Sequence, residues 1–423
     1  MIGTGVFTSL GFQLLDIESA SIVIFLWVLG GILALCGALC YAELGAALPR
    51  SGGEYNYLSR IYHPSLGFVS GWVSMTIGFA APTALAAMTA GRYLQAAVPE
   101  VPSMLTAVGM VLLATLFHVR SRRGSARFQQ IFTVLKVVLI VGFVVAIAWV
   151  VPEPVSNQWA VDLSLLGTGG FAVALIFVNY AYTGWNAATY IAGEVADPKR
   201  TLPWILLAGT AFVTVIYVLL HFAFLLSTPA EAMVGQIEIG YIVAGHVFGA
   251  EGGRIISVVL AVLLLSTVSA MVLAGPRALQ MIGQDIEPLK FLAKENTDGI
   301  PVVAVATQSA LTIGLVLTSS FDAILVFSGS VLALNTLLAV LGVIVLRYRE
   351  PELVRPFRVP AYPWPVLIFA TITVWTLFYL VFERPTEMVF AVAVIASGWL
   401  FYWLSHARVR SQNSDQNEDP HGT

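Results

Sequence analysis

Phe177-Val178-Asn179-Tyr180-Ala181-Tyr182-Thr183-Gly184-Trp185-Asn186 lies midway along an apolar run from about Gly170 to Ala192. The run is long enough to cross a bilayer, yet a tyrosine pair, Thr183, Gly184 and Asn186 interrupt it. In hydrocarbon each unpaired backbone amide or carbonyl costs several kcal/mol, so a break is tolerated only where protein or a water-filled cavity receives the freed groups. A break there marks a site. A second glycine-interrupted segment opens the chain, Met1-Ile2-Gly3-Thr4-Gly5-Val6-Phe7. Two broken spans in corresponding halves point to the binding site of a transporter.

Composition agrees with a membrane setting. The 423 residues are 58% hydrophobic and 11% charged, with a mean hydropathy of +0.85, far from the roughly 25% charge of soluble domains. The fold class read from this is an all-α integral membrane protein. Its apolar runs lie near 1 to 14, 20 to 46, 66 to 97, 103 to 118, 129 to 151, 170 to 192, 203 to 226, 254 to 280, 301 to 320, 322 to 346, 363 to 382 and 388 to 404, making twelve transmembrane spans with the first truncated. Of the 21 Lys and Arg residues, only Arg92, Arg254 and Arg384 fall in loops on one side and Lys136 inside a span; the others share the opposite side, which by the positive-inside rule is cytoplasmic, as is the C-terminus. The polar tail from 406 to 423 lacks apolar periodicity and is read as disordered. A net charge of −3 implies no nucleic-acid partner. Cys36 and Cys40 share one helix face and are read as small buried hydrophobes, not as a disulfide.

Lys136 is placed in the middle of a span, where an amine costs about 2.5 to 3.5 kcal/mol on insertion scales. It is expected to face a cavity and meet carbonyls or hydroxyls, the candidates being the region of Ile2 and Gly3 and the Ser266, Thr267 and Ser269 hydroxyls. Backbone N–H groups of Gly3, Thr4 and Gly5 at the start of a half-helix suit a carboxylate. Carbonyls left free near Ile2 and from Tyr180 to Thr183 suit an ammonium group, so the two breaks together match an α-amino acid. Pro49, Gly52 and Gly53 end the second span and turn the chain, giving a hinge or gate, with Glu43 and Glu54 expected to pair with Arg50 or Arg60. His221 reads as a packed span histidine and His246 as a loop histidine.

The stretch Tyr41-Ala42-Glu43-Leu44-Gly45-Ala46-Ala47-Leu48-Pro49-Arg50-Ser51-Gly52-Gly53-Glu54-Tyr55 resembles the Y-A-E-L-G-x-x-x-P-x-S-G-G-x-Y signature of the amino acid, polyamine and organocation (APC) transporter superfamily, especially its L-type amino acid transporter branch. M-I-G-T-G-V-F at residue 1 is similar to that superfamily's M-I-G-S-G-I-F, Phe132-Thr133-Val134-Leu135-Lys136-Val137 to its F-T-x-x-K-V, and Ala181-Tyr182-Thr183-Gly184-Trp185-Asn186 to its A-Y-x-G-W-N. Glu194 with Pro198, Arg200, Leu202 and Pro203, Ala274-Gly275-Pro276-Arg277, and Arg355-Pro356-Phe357-Arg358-Val359-Pro360 continue the series in order.

The resemblance implies a 5+5 inverted repeat with broken spans 1 and 6, plus two extra helices. The first repeat would occupy 1–151, the second 152–349, and a linker with spans 11 and 12 would occupy 350–405. It implies a secondary active transporter for amino acids working by alternating access. Substrate would bind at Ile2, Gly3, Thr4, Gly5, Tyr180, Thr183 and Asn186, with Tyr180 as the aromatic cap. Gly52, Gly53 and Gly184 would be gate or hinge positions, and Lys136 a coupling residue standing where sodium-coupled relatives hold a cation, hence sodium-independent exchange or proton-linked uptake.

With no carboxylate mid-span, neutral L-amino acids are the expected class, and Thr183, where many relatives carry glycine, favours small or medium side chains. The partners expected are the amino acid and the lipid bilayer of the cell membrane. No cofactor is implied, and Gln95 to Ser103 holds no cysteine for a disulfide-linked glycoprotein subunit. No nucleophile elbow, H-E-x-x-H or Cys/His cluster supports an enzyme. An amino acid sensor, or an inactive truncated paralogue, on the same scaffold stays open. The short first span also suggests that Met1 is not the natural start and that the chain as given is inactive in transport.

Overall fold

The computed structural model describes residues 1–120, 125–151, 159–190 and 192–417, and the side chains of all these except 125–128, 194 and 406–417. Among the described residues there are helices and no strand. In chain order they are α1 (Gly5–Gln13), α2 (Ala20–Ala47), α3 (Glu54–Ile61), α4 (Pro64–Val73), α5 (Ala80–Ala97), α6 (Ser103–Arg120), α7 (Ser125–Val150) and α8 (Gly169–Tyr182). Then follow α9 (Ala187–Tyr190), α10 (Pro198–Ser227), α11 (Ile239–Asp285), α12 (Val302–Thr318), α13 (Phe321–Arg349), α14 (Trp364–Glu383) and α15 (Pro385–Asn417). Nine helical stretches among the described residues are long and apolar enough to cross a membrane, counting α4 and α5 as one across a π-turn at Ser74–Gly78. Two shorter apolar helices, α8 and α12, and the nine-residue α1 accompany them.

Local chemistry sets the ends. Ser19 caps α2 by accepting from the Ile22 amide at 3.3 Å, and Thr168 caps α8 by accepting from Phe171 at 3.2 Å. Pro64 and Pro198 stand in the first turns of α4 and α10, where a missing N–H costs nothing. α11 is longer than the expected 254 to 280 span because an amphipathic stretch precedes it, and Gly249, at φ 78°, kinks the chain between the two parts. His246 therefore lies exposed on a helix and not in a loop. The backbone is helical to Asn417, into the 406 to 423 tail expected to be disordered, since a helix once nucleated extends at little cost. Residues 418–423 lie outside the described residues.

The layout separates core from lipid-facing helices. α1 lies against α8, α2 against α10, α5 against α11 and α6 against α12. α6, α7 and α15 bury little of their length, and Leu105, Trp149, Val389 and Trp403 are well exposed, as bilayer-facing residues are. Cys36 and Cys40 are buried and free.

One end of the molecule is tied by ion pairs that differ from the expected ones. Glu43 is buried and is held by Arg347 (2.8 Å to Nε), by Arg355 at 3.5 Å and by the Val359 amide at 2.7 Å. Arg50 pairs instead with Asp285 at 3.2 Å, and Arg60 with Glu350 at 2.6 Å. The expectation that Glu43 and Glu54 pair with Arg50 or Arg60 fails because α2 carries Glu43 inward, where the end of α13 supplies the guanidinium. Beside Arg50, the Tyr55 phenol is pushed up by burial and by its bond to Asp285. At the opposite end Arg384 meets Asp322 at 2.8 Å and Glu387 at 3.6 Å.

Candidate functional site

The interrupted stretch is unwound where its polar residues lie. α8 ends at Tyr182, Thr183 turns to ψ 153°, Gly184 takes φ 92°, and α9 resumes at Ala187. A positive φ is inexpensive only for glycine, so Gly184 is what allows the turn. Across from it, α1 begins at Gly5 with Thr4 as its cap. The two meet closely: a Cβ placed on Gly5 would lie 2.5 Å from the Cα of Ala181. Ser9 Oγ donates to the Phe177 carbonyl at 3.2 Å, and Phe12 stacks on Phe177 at 5.4 Å. Tyr93 holds the same helix from the other side, donating to the Phe7 carbonyl at 3.1 Å while accepting from the Gly240 amide at 2.9 Å.

Lys136 comes in from α7, and its side chain is buried. Nζ donates to Thr267 Oγ1 of α11 at 2.7 Å and to the Ile2 carbonyl at 3.3 Å. Two of its named candidate partners are thus met. The other two are not: Ser266 donates to Leu263, and Ser269 bonds His118 of α6 at 2.7 Å. Ile2, Gly3, Thr4, Gly5, Lys136, Tyr180 and Thr183 line one cavity of about 370 Å³. The Phe7 amide donates to the Thr4 carbonyl at 2.8 Å, which by helix geometry leaves the amides of Thr4, Gly5 and Val6 without a partner within the helix, and Lys136 is the one charged side chain among the described walls.

Asn186 stands apart from this group. With Gly184 and Gly52 it lines a second cavity of about 440 Å³, and Pro82, Thr183 and Met271 border both. Gly52 and Gly53 both have positive φ, 111° and 52°, at the start of α3. Their loop docks on the segment after the break, the Gly52 amide donating to the Tyr190 carbonyl at 3.2 Å and Ser51 Oγ accepting from Gly193 at 2.9 Å.

Two expectations need amending. The Tyr180 carbonyl, expected to be free, is taken twice by Thr183, from its amide at 2.9 Å and its hydroxyl at 2.7 Å, because a threonine at a helix end folds back on the last turn. The carbonyls of Ala181 and Tyr182 remain as the last-turn acceptors. Glu54, expected to pair with Arg50 or Arg60, is instead buried and lines the second cavity, with Asn186 Nδ2 donating to it at 2.5 Å. A glutamate that follows a glycine pair beside an apolar span is the sequence signal that could have found it. His221 is packed as expected, stacked on Trp27 at 3.6 Å, and Trp185 packs edge-on against Tyr41 at 4.8 Å. Glu194, part of a quoted motif, has its side chain outside the described residues.

Comparison with known proteins gives the same direction. The profile of the family described as "Amino acid permease" matches residues 1–405. The b(0,+)-type amino acid transporter 1 of Mus musculus is 27% identical over 416 residues, covering 96% of this chain and 84% of its own. The large neutral amino acids transporter small subunit 2 of Mus musculus is 26% identical over 426 residues, covering 96% and 78%. The serine/threonine exchanger SteT of Bacillus subtilis (strain 168) is 28% identical over 382 residues, covering 88% and 85%. With the start of α1, the end of α8 and a buried lysine on one cavity and a profile match over nearly the whole length, the chain belongs to the amino acid permease family: it is a multi-pass membrane permease and not an enzyme.

Proposed function

We propose that the protein is a sodium-independent carrier of neutral L-amino acids that works by alternating access, through exchange or proton-linked uptake. The observation that carries this is the convergence of the α1 start, the α8 end and Lys136 on the 370 Å³ cavity. The first-turn amides of α1 would receive the substrate carboxylate. The carbonyls at the end of α8 would receive its ammonium, Tyr180 would cover it, and Thr183 would limit side-chain size. Lys136, joined to Ile2 and Thr267, would fill a cation's place and tie α1 to α11. A cationic side chain entering this cavity would face Lys136 with no carboxylate among the described walls, which favours neutral substrates. Two relatives carry names for large neutral amino acids and for serine/threonine exchange, in keeping with this class.

A 5+5 inverted repeat with two additional helices fits the packing. Counting α1, α2, α4 with α5, α6, α7, α8 with α9, and α10 to α15 as twelve spans, the contacts of α1 with α8, α2 with α10, α5 with α11 and α6 with α12 each join a span to the one five later. A pseudo-two-fold axis in the membrane plane relates each span to the one five later, and such pairing is in keeping with it. The end bearing Arg50, Arg60 and Arg347 would be cytoplasmic, with the C-terminus on that side of the cell membrane.

The test is counterflow in proteoliposomes loaded with an unlabelled amino acid panel, with and without sodium. Saturable uptake of small neutral amino acids, unchanged by sodium, is expected. Sodium dependence would refute the role given to Lys136, and binding without counterflow would favour a sensor.

A further inference from the structure

Glu54 opens α3, where a carboxylate complements the helix dipole. In the structure it sits where three parts of the chain meet. Its Oε1 accepts from Tyr41 of α2 at 2.7 Å and from Asn186, in the unwound stretch, at 2.5 Å. Its Oε2 is buried and has no hydrogen-bond partner. The Tyr57 and Tyr190 phenols are near neighbours, and the residue lines the 440 Å³ cavity.

This arrangement is uneven. Tyr41 and Asn186 converge on one oxygen, the Tyr190 phenol also interacts with the carboxylate, and the other oxygen is left buried without a well-formed bond, a state that native proteins keep for few groups. Tyr41 and Asn186 also need an acceptor between them, since a hydroxyl and an amide N–H₂ both donate here. A charged oxygen makes the stronger bonds of that kind. A group short of partners in one conformation is a natural place for partners to be exchanged when the conformation changes, because packed interfaces switch between discrete arrangements.

We propose that Glu54 is a positioning residue of the transport cycle: it clamps Asn186 against Tyr41 in the conformation that forms the 440 Å³ cavity and releases it when that cavity closes. The proposal rests on reading the Thr183 to Asn186 break as a moving part of the carrier. The loop carrying Gly52 and Gly53 docks on the same post-break segment, so the clamp joins two pieces already held together by the bonds to Tyr190 and Gly193.

Weakening a contact made in only one of two states shifts the population away from that state. Glu54→Gln keeps an acceptor for both donors but removes its charge. The experiment places a reporter at Ala278, which lines the cavity, as Ala278→Cys, and measures labelling by a hydrophilic maleimide; Cys36 and Cys40 are buried. Glu54→Gln is expected to slow labelling about threefold or more. It is also expected to raise the KM for amino acid supplied from the cavity's side while leaving the KM from the other side equal or lower. A merely structural loss would lower the active fraction and leave both KM values alone.

Unchanged labelling together with KM values within twofold on both sides overturns the proposal. Should Glu54→Gln fail to reach the membrane, Tyr41→Phe removes one of the two donors and carries the test. The same direction at smaller size supports the clamp, and no shift overturns it. Labelling does not depend on transport, so a clamp effect in a protein without counterflow would count against the carrier reading and not against the clamp.

Discussion

Lys136 donates to Thr267 across 2.7 Å, joining α7 to α11 in the hydrophobic interior. The same nitrogen reaches the Ile2 carbonyl at 3.3 Å, so one amine connects the start of α1 to two other helices. Such a bond is costly to break, because a hydrogen bond to a charged group contributes roughly 1.5 to 3 kcal/mol and its loss leaves polar atoms unpaired in hydrocarbon.

Lys136→Ala should therefore abolish counterflow, with a loss on the order of a hundredfold, while the protein still inserts and elutes as a single species. Transport at the wild-type rate in that variant would remove Lys136 from the mechanism.

Tyr180 is buried at the edge of the same cavity, and its hydroxyl is not called on by the proposed site. Tyr180→Phe is expected to keep KM within about twofold. Tyr180→Ala, which removes a ring whose burial amounts to roughly 1.5 to 3 kcal/mol, should raise KM tenfold or more. Equal damage from both changes would show that the hydroxyl matters.

Gly5 has no room for a side chain, since the added carbon would stand 2.5 Å from backbone on α8. Gly5→Ala should push the start of α1 away from α8, at a cost of about 1 to 3 kcal/mol, and impair substrate binding more than insertion. Binding by the variant at wild-type affinity, measured in detergent, would show that α1 has slack to move.

Glu43 pairs with both Arg347 and Arg355 in a buried cluster, Arg355 being 4% exposed. Removing one partner of a buried ion pair typically costs about 3 to 5 kcal/mol, because the charge left behind is uncompensated. Glu43→Ala should lower the thermal midpoint in detergent by several degrees, whereas Arg50→Ala, which loosens an exposed pair, should change it little. A reversed order would mean that the exposed pair carries more stability than the buried one.

What could be read from the sequence is what hydrocarbon makes expensive. The break at Thr183 to Asn186 and the lysine at 136 stand out because polar groups there need a partner, and the structure supplies cavities and carbonyls at both. Partners that come from far along the chain could not be read in this way. Glu43 looked suited to Arg50, seven residues on, but is met by Arg347, 304 residues away. Glu54 likewise looked suited to Arg50 or Arg60, close by in the chain, and only the fold brings Asn186 to it. The length of α11 was hidden too, since Gly249 sits between two stretches of different polarity and reads as a loop.

Pro82, Thr183 and Met271 border both cavities, so the two chambers share a single sill. A substrate taking the proposed path would touch the far room before it had let go of the near one. On the proposed transport path, selectivity and speed would then be decided at the same three side chains, and neither could be tuned alone. A bulkier residue at position 183 would narrow the doorway for arrival and departure together, and glycine in its place would widen it for both.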